Sequence, residues 1–172
     1  MNTESHNIIL GGGCFWCIEA GFQRLFGIEK VVSGYAGGEA STANYKDVCS
    51  GVTGHAEVVQ IFWDPAKIEL DSILEHFFKL HDPTTKDRQG NDVGPQYRSY
   101  IGYQDDRQLE ISKEVIARTQ SKFNQPITTE LAQSPSFYPA EIEHQDYYNR
   151  NSNQPYCQLV IRPKLDKLNS SS

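Results

Sequence analysis

The pattern of apolar and polar residues predicts alternating strands and helices along most of the chain. Apolar residues at Ile18, Phe22, Leu25 and Phe26 follow the spacing of one face of a helix that ends near Gly27. Between positions 55 and 63, alternate residues point to opposite sides, as in a strand with two different faces. The other predicted elements are strands at 7–10, 28–35, 97–103 and 128–131, and helices at 70–80 and 108–123.

Three segments show neither period and are predicted to be irregular. The connection from Tyr35 to His55 has no helical pattern, and residues 82–96 are rich in Gly, Pro, Asn and Asp. A loop as long as 82–96 inside a compact domain is usually functional or disordered. From about residue 134 the chain is rich in aromatic residues without a period, so we expect it to wrap the domain.

The order of the elements predicts the fold class. A β-α-β-β-α-β order followed by a helix and a short strand is typical of an α+β, two-layer split β-α-β (ferredoxin-like) fold. We therefore expect a sheet covered by helices on one face, with an added helix and an irregular C-terminal wrap. The length fits a single catalytic domain over residues 1–172, in which 1–6 and 168–172 are expected to be flexible.

Charge and hydropathy narrow the class of partner. The net charge is −6 and no basic run is present, which argues against nucleic acid or an anionic membrane as the main partner. No apolar segment approaches the roughly 20 residues that span a bilayer. The first six residues have neither the cationic nor the apolar region of a signal peptide. We therefore expect a cytoplasmic protein, and a monomer.

The segment Gly11-Gly12-Gly13-Cys14-Phe15-Trp16-Cys17 is the strongest candidate for chemistry. It lies between the first predicted strand and the first predicted helix. The N–H groups and the dipole at a helix N-terminus favour a negative charge. We therefore expect Cys14 to have a lowered pKa and to act as a nucleophile, because the thiolate is the attacking form. The alternative is a small buried hydrophobic residue, the usual environment of a free cysteine.

The second thiol in this segment leaves other functions open. Cys14 and Cys17 have the Cys-x-x-Cys spacing of disulfide exchangers, but two bulky aromatics between them suit a pocket for a small apolar group better. A zinc site would need a second pair of ligands, and Cys49 and Cys157 have no Cys or His at ligand spacing. We therefore expect no metal.

Two further features suggest acid–base chemistry. Glu57 lies in an otherwise apolar strand, where burial would raise its pKa and let it hold a proton near neutral pH. The alternative is a strand end that faces solvent. Residues 90–99 place a carboxylate, an amide, a phenol and a guanidinium together, although an ordinary turn would look similar. His81 and His144 are interpreted as structural histidines.

Motifs along nearly the whole chain resemble those of the A-type peptide methionine sulfoxide reductases. No single one is decisive, but the ordered set is very specific. The matching segments are Gly-Gly-Cys-Phe-Trp-Cys (12–17), Ser-Gly-Tyr-Ala-Gly-Gly (33–38), Val-Cys-Ser-Gly (48–51), Gly-His-Ala-Glu (54–57), Phe-Phe-Lys-Leu-His-Asp-Pro-Thr (77–84), Gln-Gly-Asn-Asp-Val-Gly (89–94), Gln-Tyr-Arg-Ser (96–99), Phe-Tyr-Pro-Ala-Glu (137–141) and His-Gln-Asp-Tyr (144–147).

The resemblance implies reduction of methionine S-sulfoxide, free or in proteins, as repair of oxidative damage. Cys14 would be the nucleophile and Glu57 the proton donor. The remaining implied site residues are Tyr45 and Tyr97, which would hydrogen-bond the sulfoxide oxygen, Phe15 and Trp16, which would hold the methyl group, and Asp92, which would organise the site.

The resemblance also implies a catalytic cycle without a bound cofactor. Cys14 would become a sulfenic acid, and a second thiol would condense with it to form a disulfide. Cys157 is the implied resolving cysteine and Cys17 the alternative. Thioredoxin, or another external thiol, would reduce the disulfide. Rival hypotheses are a disulfide exchanger that uses Cys14 and Cys17, and a non-catalytic binder of oxidised proteins, which would be expected to lack Cys14 or Glu57.

Overall fold

A computed structural model describes the backbone of residues 6–170 and the side chains of residues 6–168. Of the ends expected to be flexible, residues 1–5 and 171–172 lie outside the described range. The strands are β1 (Asn7–Gly11), β2 (Ile28–Ala36), β3 (Ala56–Trp63), β4 (Arg88–Gln89), β5 (Asp92–Val93), β6 (Tyr100–Tyr103), β7 (Glu130–Gln133) and β8 (Phe137–Pro139). The α-helices are α1 (Phe15–Gln23), α2 (Tyr45–Val48), α3 (Leu70–Leu80), α4 (Asp106–Gln120), α5 (Tyr147–Arg150) and α6 (Arg162–Ser170).

Six strands form one sheet in the order β7-β6-β1-β3-β2-β8, and β4 and β5 form a separate two-stranded hairpin. All neighbours in the large sheet are antiparallel except β6 and β7. The register places Tyr35 of β2 opposite Glu57 of β3. This is a mixed α+β fold, as predicted. Of the described helices, none has both the length and the apolar character needed to cross a membrane.

The two faces of the sheet bury different amounts of apolar surface. Val59 and Ile61 of β3 join the main core, which also contains residues of α1 and α3 such as Phe22 and Phe77. Val58, on the opposite face of β3, belongs to a small cluster made of strand residues. The alternation predicted for this strand is therefore confirmed, and the helix-covered face carries most of the apolar burial.

The predicted end of the first helix is wrong. α1 ends at Gln23, and the backbone then makes a turn in which the Leu25 N–H donates to the Phe22 carbonyl oxygen over 3.1 Å. Phe26 is largely exposed, so the apolar stripe does not continue to it. Gly27, at φ +96°, completes the turn into β2.

Short elements interrupt the segments predicted to be irregular. The connection before β3 contains a 3₁₀ turn (Ala40–Thr42) and α2. The Asn44 side chain caps α2 by accepting from the Asp47 N–H at 2.9 Å. Residues 82–96 contain the β4–β5 hairpin, and Tyr97 lies in a second 3₁₀ turn, so β6 begins at Tyr100 rather than Tyr97. Elements of one turn are too short to show a period.

The prediction of an irregular C-terminal wrap is also wrong. β8 extends the sheet by pairing with β2, and a π-helical turn (Cys157–Ile161) continues into α6. Cys157, Ile161 and Leu165 lie four residues apart and are buried in the main core. Pro163 obscures this helical spacing, because a proline usually interrupts a helix. Residues 168–170, which were expected to be flexible, form the end of α6.

Candidate active site

The Gly-rich turn places Cys14 at the start of α1. Gly13 has φ +93°, and a Cβ there would lie 2.7 Å from Gln89 Cγ, so a side chain is excluded. The Gly13 N–H donates to the Tyr97 carbonyl oxygen over 3.2 Å. Cys14 is the N-cap residue of α1, and its carbonyl oxygen accepts from the Cys17 N–H at 3.1 Å. Cys14 therefore lies where a strand gives way to a helix, as predicted.

Glu57 is a buried carboxyl group beside this helix start. It is only 1% exposed, and its Oε1 accepts from the Phe15 N–H at 3.2 Å. Its Oε2 has no hydrogen-bond partner among the described residues. Burial raises the pKa of Glu57 to about 8, with a further contribution from the negative charge of Asp92. The predicted burial and raised pKa are confirmed, and this oxygen is free to hold or give up a proton.

The lowered pKa predicted for Cys14 is wrong. The residue is 9% exposed, and burial raises the pKa of its thiol well above the usual value. A hydrogen bond with Cys17 and the charge of Glu57 raise it further. The neighbouring thiol behaves in the opposite way. The hydrogen bond from Cys14 lowers the pKa of Cys17 to about 7, and the positive charge of Lys164 also lowers it. The two thiols are thus a hydrogen-bonded pair whose more acidic member is Cys17.

The two predicted phenols share Glu57 and Cys14 as electrostatic neighbours. Tyr45 is the first residue of α2, and its N–H donates to Glu141 Oε2 over 2.9 Å. Tyr97 lies in the 3₁₀ turn before β6. Burial is the main cause that raises the pKa of both phenols, and the charge of Glu57 adds to it. Both hydroxyls therefore remain protonated and can donate hydrogen bonds over the whole neutral range.

An aromatic cluster lies around Trp16. Its ring is stacked on Tyr147 with 3.8 Å between the centroids and 8° between the planes. The indole Nε1–H donates to His144 Nδ1 over 3.3 Å, and the His144 ring lies 4.3 Å from that of Tyr45. Phe15 is fully buried and its ring centroid lies 5.6 Å from that of His144. Such a cluster provides apolar walls with few polar groups, which suits a small apolar substituent.

The structure connects Asp92 to Cys17 through a residue that the sequence did not indicate. The Tyr156 hydroxyl donates to Asp92 Oδ2 over 2.8 Å and lies 3.7 Å from Cys17 Sγ. Cys157 follows directly in the chain and is fully buried. Cys14, Cys17, Cys157 and the exposed Cys49 are all free thiols in this structure.

A sequence model of the family described as "Peptide methionine sulfoxide reductase" matches residues 6–172. The chain belongs to this family. The peptide methionine sulfoxide reductase MsrA of Chromobacterium violaceum is 54% identical to it over 162 residues, which are 93% of this chain and 92% of the relative. The resemblance carried by the motifs is thereby confirmed, and the chain is an oxidoreductase of the A type.

Solved structures of the same family confirm the mixed α+β fold. The reduced form of Mxr1 from Saccharomyces cerevisiae has a TM-score of 0.82 and 36% identity, over 88% of each chain. The structure of Mxr1 from the same yeast in complex with Trx2 has a TM-score of 0.58 and 27% identity, over 82% of this chain and 83% of that one.

Several residues of this reductase's candidate site cannot be assigned from the sequence. His144 accepts the Trp16 indole N–H, which agrees with its interpretation as a structural histidine. Tyr147 and Glu141 lie within matching motifs but were given no function. That membership of a motif was the available signal. It does not reveal their contacts, because these cross more than 90 residues of sequence.

Proposed function

We propose that Cys14 attacks the sulfur of methionine S-sulfoxide while Glu57 protonates the departing oxygen. The observation that carries this proposal is the juxtaposition of Glu57 with the helix start at Cys14. Glu57 is buried, bonds the N–H of the residue after Cys14, and has its pKa raised to about 8. A general acid is most effective when its pKa lies near the working pH.

The first step is an oxygen transfer that balances without a cofactor. The Cys14 sulfur forms a bond to the substrate sulfur, and the sulfoxide oxygen takes the proton of Glu57. The substrate S–O bond and the new S–S bond then break as the hydroxyl group passes to the Cys14 sulfur. The substrate leaves as methionine, reduced by two electrons, and Cys14 is oxidised to a sulfenic acid. Because Cys14 and Cys17 are hydrogen-bonded, a proton passed to Cys17 would leave the attacking thiolate on Cys14.

The neighbouring side chains would bind and orient the sulfoxide. The hydroxyls of Tyr45 and Tyr97 are proposed to donate to its oxygen, since burial keeps both protonated. Phe15 and Trp16 are proposed to enclose the methyl group. Asp92 is proposed to organise the site, which agrees with its hydrogen bond from Tyr156.

The second step would regenerate the thiol. Cys157 is our proposed resolving cysteine and Cys17 is the alternative. Condensation of the sulfenic acid with a thiol forms a disulfide and releases water. A bridge requires Cα atoms within about 7 Å, and Cys157 is buried in the same core as Cys14 and Cys17. Thioredoxin is the proposed reductant, supported by the Trx2 complex of yeast Mxr1, and another small thiol could replace it.

The finer description of the fold is also a proposal. We propose that β1, α1, β2, β3, α3 and β6 form a ferredoxin-like split β-α-β core. The order β6-β1-β3-β2 at the centre of the sheet, with antiparallel neighbours, supports it. A single catalytic domain, a monomeric state and a cytoplasmic location belong to the same proposal.

Substitution of the nucleophile tests the proposed reaction. Cys14→Ser should lose all reduction of methionine S-sulfoxide, measured as methionine formed with dithiothreitol as reductant. Retained turnover would overturn the assignment. The rival disulfide exchanger would instead reduce insulin without any sulfoxide and require both Cys14 and Cys17.

Peptide mapping after one turnover tests the resolving thiol. The native protein is mixed with methionine S-sulfoxide in the absence of a reductant, and its disulfides are then assigned. We expect a bridge between Cys14 and Cys157. A bridge between Cys14 and Cys17 would contradict this choice while leaving the first step intact.

A further inference from the structure

The indole of Trp16 is fixed by contacts from the segment that contains α5. The Tyr147 ring covers one face of the indole at 3.8 Å between centroids. His144 accepts the Nε1–H at the indole edge. Because both residues lie more than 125 positions from Trp16 in the chain, the orientation of this wall depends on how that distant segment is anchored.

The segment cannot hold the position of Tyr147 by its own helix. α5 has only four residues, and short helices are marginal without outside support. The preceding residue, Asp146, has a left-handed backbone with φ +56°, a conformation that aspartate adopts more readily than most residues with a side chain. Its carboxylate accepts from Gln23 and Asn149 instead of capping the helix. The two N–H groups at the start of α5 therefore need an acceptor from elsewhere.

Glu19 of α1 supplies that acceptor. Its Oε2 accepts from the Asp146 N–H at 2.9 Å and its Oε1 from the Tyr147 N–H at 3.2 Å. The side chain is 1% exposed, and the proposed reaction does not use it. A buried carboxylate is unfavourable unless its oxygens are bonded, and here each oxygen meets one backbone donor. Glu19 also lies three residues after Trp16, so a single helix carries both the wall and its anchor.

We propose that Glu19 is a positioning residue for substrate binding: by bonding the Asp146 and Tyr147 N–H groups, it holds Tyr147 against Trp16 and so shapes the apolar pocket for the sulfoxide. The role of Trp16 in binding rests on the proposed function. The positioning of Trp16 by Tyr147 does not rest on it, so the two can be tested separately.

Trp16 fluorescence gives a direct readout of this hold. The chain has two tryptophans, so the variant Trp63→Phe leaves Trp16 as the sole emitter and serves as the reference protein. In Glu19→Gln the side-chain amide turns an NH₂ group towards one of the two backbone N–H donors. One of the two hydrogen bonds that hold the start of α5 is therefore lost. We expect the emission of Trp16 to shift. With methionine S-sulfoxide and dithiothreitol, KM should rise about fivefold while kcat stays within about twofold.

Gln23→Ala is the matched control. Gln23 is on the same helix, and its side chain bonds Asp146 Oδ1 and Asn149 Nδ2, but not the N–H groups that place Tyr147. It should lower stability yet leave the Trp16 emission and KM at the reference values. If Glu19→Gln behaves in the same way, the proposal is wrong and Glu19 only stabilises the fold.

If Glu19→Gln fails to fold, a second pair of variants tests the contact between Tyr147 and Trp16 on which the proposal depends. Tyr147→Phe keeps the stacked ring and should preserve both the emission and KM, whereas Tyr147→Leu should change both. Equal behaviour of the two would contradict the proposal. Failure of the proposed function is distinguishable, since Cys14→Ser would then retain turnover while the emission of Trp16 would still respond to Glu19→Gln.

Discussion

Cys14 and Cys17 lie three residues apart at the start of α1, and the pKa values of their thiols are shifted in opposite directions. Cys14 faces Glu57, whose burial favours the protonated state, and burial raises the pKa of this thiol. The hydrogen bond with Cys14 lowers the pKa of Cys17 to about 7, and the charge of Lys164 and the Tyr156 hydroxyl lower it further. One side of the helix start thus retains protons near neutral pH, and the other releases them.

The difference shows that the surroundings of a thiol outweigh its place on a helix. A helix dipole contributes about 0.3–1 kcal/mol, less than one pKa unit, whereas burial can shift a pKa by several units. The more acidic thiol is therefore not the residue at the very start of the helix. This division suits the proposed reaction, because the oxygen acceptor lies beside the proton donor and a second site takes up the proton of the nucleophile.

The largest expected effect comes from removing the proton donor. Glu57→Gln keeps the shape and the acceptor for the Phe15 N–H but cannot release a proton to the sulfoxide oxygen. We expect kcat for methionine formation to fall by about 10³-fold, within the range for loss of a general acid. Single-turnover assays, quenched at set times, measure the rate of methionine formation. Glu29→Gln, an exposed glutamate of β2, is the control and should retain native activity. A loss of less than about threefold in Glu57→Gln would remove Glu57 from the reaction.

The same substitution should stabilise the protein at high pH. Burial raises the pKa of Glu57 from 4.5 to about 8 in the folded state, so its contribution to stability is present below pH 4.5 and is lost as the pH rises through 8. Glu57→Gln has no such dependence. The free energy of unfolding of the variant minus that of the native protein should therefore increase by about 4 kcal/mol between pH 4 and pH 9. Urea denaturation at several pH values tests this, and parallel curves would contradict the raised pKa.

A smaller effect is expected when either of two charged residues that influence the pKa of Cys17 is replaced. Lys164 lowers the pKa of Cys17 and Asp92 raises it. Lys164→Gln should therefore raise the pKa of Cys17, and Asp92→Asn should lower it, as followed by the Cβ chemical shift of labelled cysteine. Shifts in the same direction for both variants would show that structural changes rather than charges set the acidity of Cys17.

The parts of the fold with a clear period could be predicted from the sequence. β3 and α3 were placed within one residue, because alternating and helical patterns extend over several turns or pairs. α2, the β4–β5 hairpin and the Cys157–Ile161 turn were missed, since one-turn elements depend on caps and tertiary contacts such as the Asn44 side chain. Their positions are properties of the folded chain rather than of a local pattern.

The candidate site divides in the same way. The positions of Cys14 and Glu57 follow from a Gly-rich turn and a polar residue in an apolar strand, both of which are local signals. The supporting contacts of His144, Tyr147 and Tyr156 cross most of the chain, so no local pattern encodes them. The acidity of Cys14 was predicted with the wrong sign because burial cannot be measured from sequence.

The pH dependence of a single turnover tests the central claim, that Glu57 delivers the proton beside Cys14, most directly. Methionine formation would be followed in native protein and in Glu57→Gln from pH 5 to about pH 10. The native rate should fall as the pH rises through about 8, where Glu57 loses its proton, and the variant should show a low rate without that fall. A native rate that keeps rising through pH 9, or a variant that retains the fall, would contradict the account.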